Sequence, residues 1–274
     1  MKTKTIGIIG CVIVLIIVFI AIFSDLIAPY DADKIVGPSF QRPSADHLLG
    51  TNDIGQDIFS ELVVGAKYSL LVGLFSMLIS AAIGIIIGLT AGWYGGLVDN
   101  VLMKITYFIQ MIPYLPLVIV LAALLKGGLW SIVLVMGMTS WPEMARVLRM
   151  QTIKVKESDY ITSIAAMGAP SIYIIFRHVL RDLLPLVVYR VISRFKSAII
   201  AESSLSFLGL SSSTIKSWGS MLYYAQAKSA FLTDAWLWWV IPPGIMISIL
   251  SFGFMMVGYS IEGKMDPRLD GGRW

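Results

Sequence analysis

Charge is scarce in this chain: Asp, Glu, Lys and Arg make up 14% of its 274 residues, against roughly 25% in an average soluble domain. Cys11 is the single cysteine, and His47 and His178 are the only histidines. One thiol, placed inside an apolar run, excludes a disulfide framework and a thiolate metal site. Two distant imidazoles leave little for a metal cluster. No G-x-x-x-x-G-K-[ST] pattern occurs, because Gly65-Ala66-Lys67 and Gly263-Lys264 lack the upstream glycine loop. The chain therefore carries no nucleotide-binding P-loop of its own.

What is abundant is apolar, at 57% of all residues. Four runs without charge stand out: Ile6–Ser24 (19 residues), Tyr68–Val98 (31), Ile105–Leu125 (21) and Ala235–Ile261 (27). About 20 apolar residues in a helix span the ~30 Å hydrocarbon core of a bilayer, so the class is an all-α polytopic membrane protein. Lys2 and Lys4 precede the first run as in a signal peptide, but no clean small-x-small site follows before Asp25. A retained anchor helix is the expectation. Further helices are predicted at about 68–92, 101–125, 127–145 and 235–260. Pro113 and Pro116 should kink the second of these, and Pro142 and Glu143 shorten the third.

Leu183–Ser203 is the hardest segment to place. Its ten Leu, Ile, Val and Phe residues favour insertion by roughly 3–6 kcal/mol. Arg190, Arg194 and Lys196 each oppose it by roughly 2.5–3.5 kcal/mol. It spans only if those bases face protein, water or a counter-ion. With it the chain has six spans, and eleven Lys or Arg fall on the side of the N-terminus against six opposite. That satisfies the positive-inside rule with both termini cytoplasmic. The outer loop 25–67 holds seven Asp or Glu, so the net charge of +4 reflects topology, and a nucleic-acid partner is excluded. The organisation is then a first helix within 1–24, an outer loop 25–67, a core at 68–260 and a tail at 261–274. The core includes a cytoplasmic loop 146–182 and an outer segment 204–234.

That cytoplasmic loop reads as two short helices around a glycine corner. Ser158–Ala169 carries Asp159 near its start, favourable to the helix dipole. Gly168-Ala169-Pro170 breaks the chain, and Ser171 is placed to cap a second helix to about Leu180. Asp159-Tyr160-Ile161-Thr162-Ser163-Ile164-Ala165-Ala166-Met167-Gly168-Ala169, followed by Phe176-Arg177-His178-Val179-Leu180, resembles the EAA loop of ABC-importer permeases. Two further blocks resemble the dipeptide, oligopeptide and nickel branch. They are Leu49-Gly50-Thr51-Asn52-Asp53-Ile54-Gly55-Gln56-Asp57 and Ala201-Glu202-Ser203-Ser204-Leu205-Ser206-Phe207-Leu208-Gly209-Leu210 with Trp218-Gly219-Ser220-Met221-Leu222. Asp266-Pro267-Arg268-Leu269 fits as well. The likeness runs from about residue 20 to 270 and is to the second permease of such systems.

The resemblance implies a type I importer permease with six spans and no bond chemistry of its own. It also implies a second homologous permease, two cytoplasmic ATPases that hold ATP and Mg, an extracytoplasmic binding protein, and a place in the bacterial cytoplasmic membrane. The ATPase-coupling residues it assigns are Asp159, Tyr160, Thr162, Ser163, Ala166, Gly168, Ala169, Pro170, Ser171, Arg177 and His178. Thr162-Ser163-Ile164 stands where the family has Glu-Ala-Ala, and Arg181-Asp182 where it has Pro-Asn, so the knob's shape counts for more than a salt bridge there. The pattern around His47 belongs to the family's loop irrespective of cargo, so no metal site is expected.

Gly84, Gly88 and Gly92 form a small-residue ridge, for packing within the chain or against the partner permease. Six tryptophans near span ends (93, 130, 141, 236, 238 and 239) fit interfacial anchors. Arg190 and Arg194, four apart, share a helix face, while Lys196 lies away from it. These bases either pair with Glu143, Glu202 or another subunit, or line the pathway and attract a carboxylate-bearing solute. Glu202 is expected at the outer gate or beside the bases. Cargo candidates are peptides, nickel complexes and opine-like metallophores, with a tilt toward an anionic solute. An ion-coupled carrier would need an embedded carboxylate relay, and a membrane enzyme a catalytic constellation; the sequence displays neither.

Overall fold

The computed structural model describes residues 3–125, 128–210 and 215–265, which leaves Asp266–Leu269 outside. Its regular structure is helical, with one isolated antiparallel bridge between Thr51 and Asp57. Helix α1 (Thr3–Ile22) and a single turn, α2 (Ser24–Ile27), lead into an irregular segment, 28–57. Asp57 then caps α3 (Ile58–Tyr94): its carboxylate accepts from the Ser60 backbone N–H at 2.8 Å. Thirty-seven residues make a rod of about 55 Å, nearly twice the hydrocarbon thickness. Helix α3 therefore begins ten residues before the predicted 68 and is longer than the hydrocarbon core is thick. Gly95, at φ +65°, ends it.

Helices α4 (Gly96–Met111) and α5 (Tyr114–Leu124) meet at 89°. Pro113 sits at the bend, where its missing N–H and fixed φ prevent a continuous helix. The predicted span 127–145 is divided between α6 (Leu129–Thr139) and α7 (Pro142–Lys156). Pro142 is the first residue of α7, a position suited to proline because no intrahelical N–H is needed there. Beyond it come α8 (Asp159–Ala166), α9 (Ser171–Ile174), a π turn (Ile175–Val179) and α10 (Leu180–Phe207). The second helix of the cytoplasmic loop therefore does not stop near Leu180 but runs on into α10. The chain closes with α11 (Trp218–Ala227), α12 (Trp236–Trp239) and α13 (Ile241–Met265).

Side-chain contacts fix the helix directions. Gly84 lies against Met144, Gly88 against Leu148 and Gly92 against Thr152, so α3 and α7 run parallel. Ser69 meets Glu202 and Gly73 meets Ile199, which sets α10 antiparallel to α3. Phe195 stacks on Phe254 at 4.5 Å, with Gly258 beside Tyr189, so α13 is antiparallel to α10. Gly7 faces Ser260, and Gly10 faces Gly253, making α1 antiparallel to α13. Among the described residues the helices make six passes through the bundle: α1, α3, the bent pair α4–α5, the pair α6–α7, α10 and α13. The start of α1 and the end of α13 lie on the α8–α9 side. Residues 4–22, 58–94 and 236–262 are apolar and long enough to cross a membrane, as are α4 and α5 taken together. Helices α7 and α10 carry the bases and their counter-ion.

Helix α3 is the central strut, and its small residues set how closely α7 approaches. A Cβ on Gly88 would lie 2.7 Å from both the Ala145 carbonyl and Leu148 Cβ. Between helices in lipid there is no hydrophobic drive, so close van der Waals packing of this kind holds the pair together. The ridge thus serves packing within the chain. Trp93, Trp141, Trp238 and Trp239 are buried among protein side chains, which corrects the expectation of interfacial anchors. Only Trp130 and Trp236 keep that exposure.

Gly88→Leu is expected to separate α3 from α7 at a cost of about 1–3 kcal/mol or more, read as a lower Tm and a poorer yield of purified protein. Gly244→Ala, with no heavy atom within 4 Å of the added methyl, should change stability by less than about 0.5 kcal/mol.

Candidate functional site

The α8–α9 knob is built around a buried side and an exposed one. Ile161, Ile174, Ile175 and Val179 point into the protein core. On the other side Met167 is 85% exposed, Ile172 66% and Phe176 63%. Gly168 adopts φ +85°, a left-handed conformation that costs a side-chain-bearing residue roughly 1–2 kcal/mol. No atom lies within 4 Å of where its Cβ would be, so backbone conformation alone calls for glycine. Pro170 occupies the N-cap of α9, and Ser171 is its first residue without a side-chain capping bond. This corrects the capping role expected of Ser171.

The hydroxyls standing where the family has Glu-Ala are turned inward on their own helix. Thr162 donates to the Asp159 carbonyl at 2.9 Å and Ser163 to the same oxygen at 2.7 Å. Tyr160 donates to the Asp182 carboxylate, bridging α8 to α10. Partial burial, together with that carboxylate, pushes the Tyr160 phenol up to about 12. It therefore remains a donor throughout the physiological range. His178 packs edge-on to Tyr160 at 6.5 Å and to Tyr173 at 5.6 Å. Ala166 closes α8, Asp159 opens it, and Ala169 packs against the core. Arg177 and His178 lie on the π turn. The α7 end is tied to the α3 end: Lys156 Nζ donates to the Trp93 carbonyl at 2.6 Å and lies 5.6 Å from the Trp93 ring.

Arg190 and Arg194 both reach Glu143. Arg190 Nη1 is 3.3 Å from its carboxylate, and Arg194 closes a second, shorter bond to the other oxygen. Glu143 sits in the first turn of α7, where the helix dipole favours a negative charge. Arg194 is about 21 Å along α10 from Leu180, near the middle of the helix. It borders two cavities. One of about 350 Å³ includes Ser76, Ser80, Ser140, Ser197 and Ser204 in its wall. The other, about 270 Å³, lies by Pro113 and Glu143. Tyr114, Ser140 and Arg194 belong to both. Among the described residues Lys196 makes no ion pair.

Glu202 is elsewhere. It is 1% exposed and accepts from Ser206 at 2.7 Å and from Ser69 and Ser203 at 3.4 Å. Its place beside the bases is taken by Glu143. Glu202 instead joins α10 to α3, beneath Trp218, whose indole N–H donates to the Leu62 carbonyl at 2.9 Å. The outer loop is likewise self-bonded. His47 Nδ1 lies 2.9 Å from Asp57, and Asn52 Oδ1 accepts the Ile54 and Gln56 N–H groups. Lys216 Nζ donates to Glu61 at 2.6 Å and Gln56 at 2.7 Å, pinning the outer segments together. Sequence reasoning missed Lys216, for which no pattern exists, and the serine wall. Ser76 and Ser80, four apart on one helix face, were its visible sign.

A bundle of six passes, a two-helix knob on one side and a serine- and arginine-bearing cavity beside an ion pair at the middle of α10 fit a membrane transport subunit. Residues 84–270 match the family described as binding-protein-dependent transport system inner membrane component. Residues 1–49 match the N-terminal TM domain of oligopeptide transport permease C. The chain belongs to the binding-protein-dependent inner membrane component family and is the permease subunit of an ABC importer. It is 30% identical to the oligopeptide transport system permease protein OppC of Bacillus subtilis, over 98% of this chain and 87% of that protein. It is 32% identical to the dipeptide permease DppC of the same organism, covering 98% and 84%. The glutathione transport system permease protein GsiD of Pectobacterium atrosepticum is 33% identical, covering 93% and 85%. The fold is also that of a chain in the inward-facing MetNI methionine ABC transporter (TM-score 0.58, 16% identity, 73% of this chain and 96% of that one).

Glu202→Ala is expected to lower stability by about 1–3 kcal/mol by stranding three buried hydroxyls. Glu202→Gln, which keeps an acceptor in place, should lose less; thermal unfolding in detergent separates the two.

Proposed function

We propose that this permease imports short peptides, delivered by an extracytoplasmic binding protein and driven by two cytoplasmic ATPases that hold ATP and Mg²⁺. A second, homologous permease completes the pathway, and both termini and the knob face the cytoplasm. The observation that carries this reading is the knob itself. Its exposed apolar side, Met167, Ile172 and Phe176, is the kind of patch that marks a protein interface. Its buried side is continuous with α10. A push on the knob is therefore passed to Arg190 and Arg194 as a rigid-body movement. Asp159, Tyr160, Thr162, Ser163, Ala166, Ala169, Pro170, Ser171, Arg177 and His178 shape or present this contact, with Gly168 as its corner.

The peptide cargo rests on the relatives named above, which are described as oligopeptide, dipeptide and glutathione permeases. None of these three descriptions names nickel or a metallophore. Of the three bases expected on the pathway, Arg194 borders both cavities, and with Arg190 it sets two positive charges against the single negative charge of Glu143. That favours solutes with a free carboxylate.

Gly168→Val is the direct test, in cells carrying the whole transporter. Peptide uptake should fall about tenfold or more while the subunits still co-purify, because the left-handed corner is lost but no packing atom is displaced. Undiminished uptake would sink the coupling role. Phe176→Asp is expected to weaken ATPase retention in a pull-down from solubilised membranes, without altering insertion of the permease.

A further inference from the structure

The cavity beside Arg194 has a donor and acceptor pattern that the transport role alone does not require. Ser80 is 2% exposed, and its hydroxyl has no hydrogen-bond partner, although it lies in the wall of the 350 Å³ space. A buried hydroxyl left unpaired is costly and marks a position that a bound molecule can satisfy. The other serines of that wall have their protons committed, Ser140 to the Tyr114 hydroxyl at 3.4 Å. Ser76 donates to the Val133 carbonyl at 3.3 Å, Ser197 to Ser193 at 3.1 Å and Ser204 to Ile200 at 2.8 Å. Each therefore keeps lone pairs as acceptors. Arg194 supplies the cationic donors at one end, and a cavity of this volume suits a small molecule.

We infer that this cavity is a solute subsite within the permease, where Arg194 exchanges Glu143 for the carboxylate of a short peptide and the serine oxygens accept its N–H groups. Glu143 is 49% exposed and Arg194 20%, so the carboxylate has room to move aside while the guanidinium stays in the wall. The guanidinium plane offers a carboxylate two parallel bonds. Arg190 remains on Glu143 at 3.3 Å, so the displaced glutamate is not left without a partner. The inference rests on the peptide reading of the cargo and adds that the permease, independently of the binding protein, reads the carboxyl end.

The test uses the assembled transporter in lipid nanodiscs without binding protein. Saturation-transfer NMR compares Ala-Ala with its C-terminal amide. The wild type should transfer signal to Ala-Ala, and amidation or Arg194→Gln should weaken binding about tenfold, equivalent to ~1.4 kcal/mol. Ser80→Ala, which breaks no bond within the protein, should weaken both peptides equally with Tm unchanged. Equal signal from free and amidated peptide, or no signal from the wild type, overturns the subsite. Uptake of Ala-Ala by the complete transporter is measured separately. Its absence overturns peptide import, whereas uptake without the NMR signal overturns the subsite alone.

Discussion

Two guanidinium groups near the middle of a membrane helix must be paired, since an unpaired base in hydrocarbon costs several kcal/mol. Much of this architecture follows from that requirement. Glu143 meets both arginines because α6 and α7 are separate helices, broken at Ser140-Trp141 ahead of Pro142. The break places a carboxylate in the first turn of α7, where the dipole adds to the attraction of the bases. The same break opens the space beside Tyr114 and Ser140 into cavities instead of close packing. The glycine ridge of α3 then draws α7 close enough for Glu143 to be held at that depth. Packing, pairing and cavity are consequences of one interruption in one pass.

The second organising feature is mechanical continuity. From Ser171 to Phe207 the chain is helical without a loop, passing through a π turn and over Pro185. The extra residue of a π turn shifts the helix face, and here it lets Ile174, Ile175 and Val179 all be buried. The α7 side of the knob is fixed as well, through Lys156 on the Trp93 carbonyl at the C-terminus of α3, where a cation is favoured. The Asp182–Tyr160 bond ties α8 to the foot of α10. A partner seated on the knob would thus move α10 and its arginines as one body.

The sequence made some of this legible and hid the rest for identifiable reasons. Long uncharged runs marked α1, α3 and α13, because hydrocarbon admits little else. Pro113 marked the bend between α4 and α5. The glycine spacing marked a close helix contact, and the structure supplied its partner, α7. Helix α7 was harder to bound, because Pro142 reads equally as a kink or as a start. The start of α10 was hidden since charged Arg181 and Asp182 resemble a loop. Four tryptophans misled because interfacial and buried rings share the same neighbourhoods in sequence. Lys216 was beyond reach, because Gln56 and Glu61 lie far away in the chain; Glu202 has Ser203 and Ser206 beside it in sequence, but its tie to Ser69 on α3 needed the tertiary structure.

The central claim is that Glu143 keeps α10 in the membrane by pairing its arginines. Cysteine-accessibility mapping of α10 in intact cells measures this directly. Glu143→Leu alone should expose mid-helix positions to a membrane-impermeant reagent. Combining it with Arg190→Leu and Arg194→Leu should restore protection, because the need for a counter-ion has then been removed. If the single variant leaves α10 protected, or the triple variant remains exposed, the pairing is not what holds this helix in place.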